Sequence, residues 1–228
     1  MILIPHPSPN FGPRRGNARP DLVVLHYTAM ASADAAAQRL SDPAFEVSAH
    51  YLIAEDGRIF ALVPEEMRAW HAGQGAWGRV TDVNSHSIGI ELANSGDAPY
   101  PAPQMAALAE LLGDIRARWA IPPERVIGHS DCAPGRKIDP GPLFDWPALA
   151  REGHAVRPAS GEAPPDTAAF LADLRAMGYT APVPAQTLLQ AFRLRFFPGA
   201  EGPLRPKEAW AARDLSRRYP IDRNRLLA

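Results

Sequence analysis

DLVVLHYTA, residues 21–29, is an apolar run with two β-branched valines, bounded by Pro20 and by the small residues that follow it. A run of this length, apolar at consecutive positions, reads as a buried strand with no solvent face. Working outward, the alanine-rich residues 32–40 suit a short helix capped by Ser32. SAHYLIAEDGRIFALV, residues 48–63, holds two apolar runs about an Asp56-Gly57 step and predicts a hairpin. SIGIELAN, residues 87–94, is a second strand rich in isoleucine. Residues 103–119 carry Met105, Leu108, Leu111, Leu112 and Ile115 at helical spacing, with Pro103 in the first turn. RVIGH, residues 125–129, is a short strand that runs into a loop of Gly, Pro and Asp. Strands alternating with helices over residues 1–150 predict an α/β domain with helices packed on a mixed central sheet.

Composition sets the outer limits. The chain has 228 residues, 46% of them hydrophobic and 21% charged, which excludes wholesale disorder. Lys and Arg number 24 against 25 Asp and Glu, so no broad cationic field exists to hold nucleic acid or an anionic membrane. One cysteine, Cys132, cannot form an internal disulfide or supply a Cys-rich zinc site. No apolar run approaches the roughly 20 residues needed to span a bilayer. The N-terminal MILIPHPSPNFGPRRG lacks the basic start and apolar stretch of a signal peptide. After residues 146–151 the composition changes. HAVRPASGEAPPD, residues 154–166, reads as a proline-rich linker, and beyond it the pattern is purely helical. Phe170, Leu171, Leu174 and Met177 share one face ending at Gly178; Leu188, Leu189, Phe192 and Phe196 form a second; Trp210, Leu215 and Tyr219 suit a third. The expected division is a domain over residues 1–153, the linker 154–166 and a three-helix domain over 167–228. A tether of this kind implies a separable tail, so that a chain ending near Gly161 stays folded and loaded with metal.

His26 and His129 end two of these strands, and Asp139 follows His129 by ten residues in GHSDCAPGRKIDPG. Strand ends are where α/β sheets place their sites, and two imidazoles with a carboxylate suffice for a catalytic zinc that keeps one position open. The alternative for each histidine is a hydrogen-bonded structural role. Glu91, between Ile90 and Leu92, is either a general base with a raised pKa or a side chain turned to solvent by alternation. Lys137 is either a surface lysine or a member of that same loop site.

In chain order the segments VVLHYTA, VSAHYLIAEDGRIFALVPE, AWHAGQGAW, NSHSIGIELAN and GHSDCAPGRKIDPGPLFDW resemble the zinc-dependent N-acetylmuramoyl-L-alanine amidases of the type 2 amidase family, whose fold is shared with peptidoglycan recognition proteins. The resemblance covers roughly residues 20–150. It implies Zn²⁺ on His26, His129 and Asp139, catalysis by Glu91, and Lys137 as the active-site lysine that offsets oxyanion charge. It also implies a substrate groove near His50, His71 and Asn84, with Trp70, His71 and Trp77 as walls for sugar or peptide. One departure is informative: the phage lysozyme-like branch has a tyrosine before the histidine of AHYLI, and here that residue is Ala49, which leaves the proton transfers to Glu91. The tail looks like a peptidoglycan-binding three-helix domain, although plain core packing is the favoured reading of Met177, Phe192, Phe196 and Trp210 themselves.

The expectation is therefore hydrolysis of the amide between N-acetylmuramic acid and L-alanine, in peptidoglycan or in muropeptides, for wall turnover or recycling. No nucleic acid and no obligate protein partner are expected. Two rivals stand beside it: a non-catalytic peptidoglycan-binding protein on the same fold, and an amide hydrolase with Cys132 as nucleophile. The N-terminal sequence and the single cysteine point to the cytoplasm, with periplasm or outer membrane as the alternative if an export signal has been removed. Intact wall and soluble anhydro-muropeptides are not distinguished.

Overall fold

The computed structural model describes residues 2–221; residues 1 and 222–228, the last of these belonging to the expected 167–228 domain, lie outside the described residues. In chain order come β1 (Leu3–Pro5), β2 (Phe11–Pro13), β3 (Leu22–Tyr27), α1 (Ala33–Ser41), β4 (Tyr51–Ile53), β5 (Ile59–Ala61) and β6 (Met67–Ala69). They are followed by α2 (Val83–His86), β7 (Ser87–Leu92), α3 (Ala102–Trp119), β8 (Val126–Gly128), α4 (His129–Cys132) and α5 (Trp146–Arg151). The tail supplies α6 (Thr167–Met177), α7 (Ala185–Phe196) and α8 (Pro206–Arg218). The central sheet has the order β1-β5-β4-β7-β3-β8, and β2 pairs with β6 in a small second sheet. Only the predicted hairpin β4–β5 is antiparallel within the central sheet, so that sheet is mixed, as expected. Ser32 caps α1 by accepting from the Ala35 N–H at 3.2 Å.

β3 and β7 are neighbouring interior strands and are largely apolar because both faces are covered. Val23, Leu25, Ile88, Ile90 and Leu92 pack on Leu108, Leu111, Leu112 and Ile115 of α3. Gln104, fully buried on α3, donates to the carbonyls of both Ile53 and Ala93, at 2.9 and 3.0 Å, which fastens the helix across two strands. On the opposite face Leu22, Val24 and Ile127 share a core with Phe170, Leu174, Tyr179, Leu188, Phe192 and Leu215 of the tail.

This packing corrects the expectation of a removable tail. The three C-terminal helices form the second layer on the sheet, in a core that also takes in Trp77, Val83, Cys132 and Val156. The proline-rich stretch is fastened as well: Trp210 donates to the Ala159 carbonyl, the Ala159 N–H donates to Asp214, and the Ala163 N–H donates to the Pro206 carbonyl. Within the tail, a buried Arg193–Glu208 ion pair at 2.8 Å joins α7 to α8. Gly178 ends α6 with φ +127, and a Cβ there would stand 2.4 Å from the Trp77 ring, so both its backbone and its neighbour require glycine.

Candidate metal and catalytic centre

His26 and Glu91 are paired across the neighbouring parallel strands β3 and β7, near their C-terminal ends. His129 opens α4 directly after β8, and the loop that follows returns Asp139 to the same point. The atoms His26 Nδ1, His129 Nδ1 and Asp139 Oδ2 lie 2.9–3.0 Å from one another. All three residues are buried.

The outer hydrogen bonds fix which nitrogen of each imidazole carries the proton. His129 Nε2 is 2.8 Å from the Ala72 carbonyl, which can only accept, so Nε2 donates and in the neutral ring Nδ1 keeps its lone pair. For His26 the same result comes through a relay. The Ser87 hydroxyl donates to the Val83 carbonyl at 2.6 Å and therefore accepts from His71 Nε2 at 3.1 Å. His71 Nδ1 is then an acceptor and takes the proton of His26 Nε2 at 2.9 Å. Burial, followed by the charge of His129, lowers the His26 pKa to about 4, and burial drives His71 well below its ordinary value, so both rings are neutral near pH 7. Burial would raise the Asp139 pKa, yet its carboxyl is held well below the usual carboxylate range by the two imidazoles it faces.

Two nitrogen lone pairs and a carboxylate oxygen thus face one another with no proton between them. Such an arrangement is repulsive unless a cation occupies the centre. A tetrahedral ion with bonds of about 2.0–2.1 Å holds its ligands about 3.3 Å apart, so this triangle needs to open by only a few tenths of an ångström. The donor set fits a zinc-type ion, and each imidazole already has the outer hydrogen bond that such sites use to orient ligands.

Glu91 supplies the second half of the site. Its Oε2 is sealed from solvent and has no hydrogen-bond partner. Burial, reinforced by the negative charge of Asp139, pushes its pKa well above 4.5. A carboxyl held in this way is suited to take a proton and give it back. Glu91 is partly exposed, and the space it faces is the cavity over the cluster. A cavity of about 550 Å³ opens over the cluster and is lined by Glu91, Trp70, His71 and Lys137 as well as the three cluster residues. Lys137 itself is exposed at the rim.

The remaining expected residues do not all meet there. Trp77 is buried with the tail, its ring 4.9 Å from that of Tyr179, and it does not line the cavity. His50 lies one layer below: it accepts from the Gly89 N–H through Nδ1 and donates to the Met67 carbonyl through Nε2. Asn84 accepts from the backbone N–H groups of His71 and Ala72, which holds the segment that supports both histidine ligands. These two residues are braces rather than walls. His71 lines the cavity but spends both nitrogens on the relay. Cys132 is fully buried and its thiol pKa is pushed up by burial, so it offers no thiolate for nucleophilic attack.

Two contributors carry no sequence signal that a single-residue reading detects. Ser87 is visible only by period two, since Ser87, Gly89 and Glu91 occupy one face of β7. Arg14, half-buried, donates to the carbonyls of Glu65, Asn84, Ser85 and Ser87 and so pins the start of β7; nothing in PRRG marks it.

Comparison with known proteins agrees with this geometry. Residues 16–142 match the model of a family described as N-acetylmuramoyl-L-alanine amidase. The N-acetylmuramoyl-L-alanine amidase AmiD of Escherichia coli K12 is 39% identical over 209 residues, covering 78% of this chain and 75% of the relative. The 1,6-anhydro-N-acetylmuramyl-L-alanine amidase AmpD of Salmonella typhimurium SL1344 is 35% identical over 158 residues, covering 62% of this chain and 84% of the relative. A solved complex of E. coli AmiD with anhydro-N-acetylmuramic acid-L-Ala-D-γ-Glu-L-Lys superposes with a TM-score of 0.82 at 36% identity, covering 92% of this chain and 93% of that one. Among the described residues, no helix is long and apolar enough to cross a membrane.

Proposed function

The chain belongs to the N-acetylmuramoyl-L-alanine amidase family, and from that premise we propose that it cleaves the amide between N-acetylmuramic acid and L-alanine with zinc held by His26, His129 and Asp139. The observation that carries this is the triangle of lone-pair atoms beside the unpartnered Glu91 carboxyl. When bound, the ion activates water and polarises the substrate carbonyl as a Lewis acid. Glu91 takes the proton of the attacking water and returns it to the leaving amine of L-alanine. Lys137, at the cavity rim, offsets the charge that develops on the carbonyl oxygen, where one well-placed donor contributes on the order of 3 kcal/mol. Trp70 forms a wall of the cavity against which a sugar or peptide face rests.

Soluble anhydro-muropeptides are the favoured substrate class, because the similar AmpD is named for the 1,6-anhydro sugar and the similar AmiD was solved with an anhydro-muropeptide. Residues 1–153 then form the amidase unit and 154–166 the connecting segment. Residues 167–228 make up the C-terminal unit, and the helices within Thr167–Arg218 resemble a peptidoglycan-binding module. A cytoplasmic location accords with soluble fragments and with a single cysteine that cannot form an internal disulfide. Mass spectrometry of products from soluble anhydro-muropeptide and from insoluble wall tests the reading. Free stem peptide with an N-terminal L-alanine, released faster from the soluble form, is the expected result. Binding without release would establish the non-catalytic rival.

A further inference from the structure

Asp131 lies two residues after the ligand His129 and is fully buried. Its Oδ2 accepts from the Gly128 N–H at 2.8 Å, closing the turn on which His129 stands. The Ser130 N–H of that turn donates to the Asp139 carbonyl at 2.9 Å, so one turn positions two of the three ligands. The other donors to Asp131 come from the tail. Arg195, on α7, donates Nη1 to Oδ2 at 2.8 Å, and the Tyr179 hydroxyl, between α6 and α7, donates to Oδ1 at 2.5 Å. Arg195 also donates Nη2 to the Val126 carbonyl at the start of β8, and its guanidinium lies 4.3 Å from the centre of the Trp146 ring.

A carboxylate with no solvent access needs its donors, and here the amidase unit supplies one backbone N–H while the tail supplies the charge and the hydroxyl. From this we propose that Arg195 and Tyr179 are positioning residues of the metal centre: the C-terminal helices complete the site by holding the His129 turn, whatever they do toward the wall. Packing alone would make the tail stabilising. Donors aimed at the ligand-bearing turn make it set metal affinity in the folded state as well. The proposal rests on the metal reading above.

The test uses the full chain. Tyr179→Phe removes one hydroxyl and keeps the ring that packs on Trp77 and Phe192; Arg195→Met removes the charge and keeps the stem. Zinc affinity is measured by competition with a chromophoric chelator, and ligand geometry by the d–d absorption of the cobalt-substituted protein, both well below the unfolding midpoint. Ser216→Ala, which breaks a tail contact to Asp173 away from the turn, serves as the control. Zinc affinity weakened roughly 10- to 100-fold in both variants, with a shifted cobalt spectrum and an unchanged control, is the expected result. If Arg195→Met does not fold, Tyr179→Phe decides alone. Folded variants with unaltered affinity and spectrum would overturn the proposal while leaving the metal reading intact, whereas a parent chain that binds no zinc would remove both.

Discussion

The imidazole of His71 rests on Gly89: a Cβ at residue 89 would stand 2.4 Å from His71 Cγ and 2.6 Å from Cδ2. Glycine is needed here for space, since its neighbours on the same face of β7 are Ser87, which accepts from His71, and Glu91, the proposed general base. Gly89→Ala should push His71 off His26 and free the His26 ring to turn. We expect zinc affinity to fall at least about tenfold, the usual scale for losing the partner of a metal-bound histidine, measured by chelator competition. Unchanged affinity would show that the relay does not orient His26.

Glu91→Gln should retain zinc and lose turnover by roughly 100-fold or more. Metal content and the rate on anhydro-muropeptide check the two halves separately, and loss of zinc would make Glu91 a ligand instead.

The same residue gives the metal-free protein a pH signature. Its folded pKa is raised above 4.5 by burial. Its contribution to stability is therefore complete below about pH 4.5 and is lost as pH rises, because the unfolded chain ionises freely while the folded one resists. Comparing Tm for metal-free parent and Glu91→Gln between about pH 4 and pH 8, the variant should gain on the parent as pH rises. A constant difference would mean that Glu91 is not desolvated.

The sequence carries most of the central sheet, α3 and the residues of the His26, His129 and Asp139 cluster because each depends on local signals: apolar runs, helical spacing, and histidines at strand ends. It does not carry β1, β2 and β6, each of three residues and stabilised by pairing rather than propensity. The role of the tail was open to inference from one feature. DLVVL is apolar on both faces, α3 covers only one, and the second cover has to come from somewhere in the chain. Proline-rich composition argued for a tether and masked this, since composition cannot report that the Ala159 and Ala163 backbone groups are hydrogen-bonded to α8. Trp77 illustrates the same limit: Trp70 and His71 of AWHAGQGAW line the cavity, whereas the Trp77 ring belongs to the core beneath the tail.

A chain ending near Gly161 should accordingly not stay folded as an independent enzyme. It would leave Leu22, Val24 and Ile127 without a cover, and Asp131 without Arg195 and Tyr179. Circular dichroism should show loss of cooperative unfolding together with loss of bound zinc. A cooperative, zinc-loaded fragment would contradict the shared core.

Cys132 should be inert. Its thiol is buried and points to the His129 carbonyl at 3.4 Å. In the folded protein an alkylating reagent should neither label it nor alter turnover, whereas labelling that abolished activity would restore the nucleophile reading.

Hydrolysis should depend on a metal ion held by the facing atoms of His26, His129 and Asp139. Stepwise addition of zinc to metal-free protein, with release of stem peptide from anhydro-muropeptide followed at each step, measures that dependence. The rate should rise in proportion to zinc and level off at one equivalent per chain, and His26→Ala, His129→Ala and Asp139→Ala should show no such rise. Full turnover by the metal-free chain, or a zinc response that persists in any of the three variants, would contradict it.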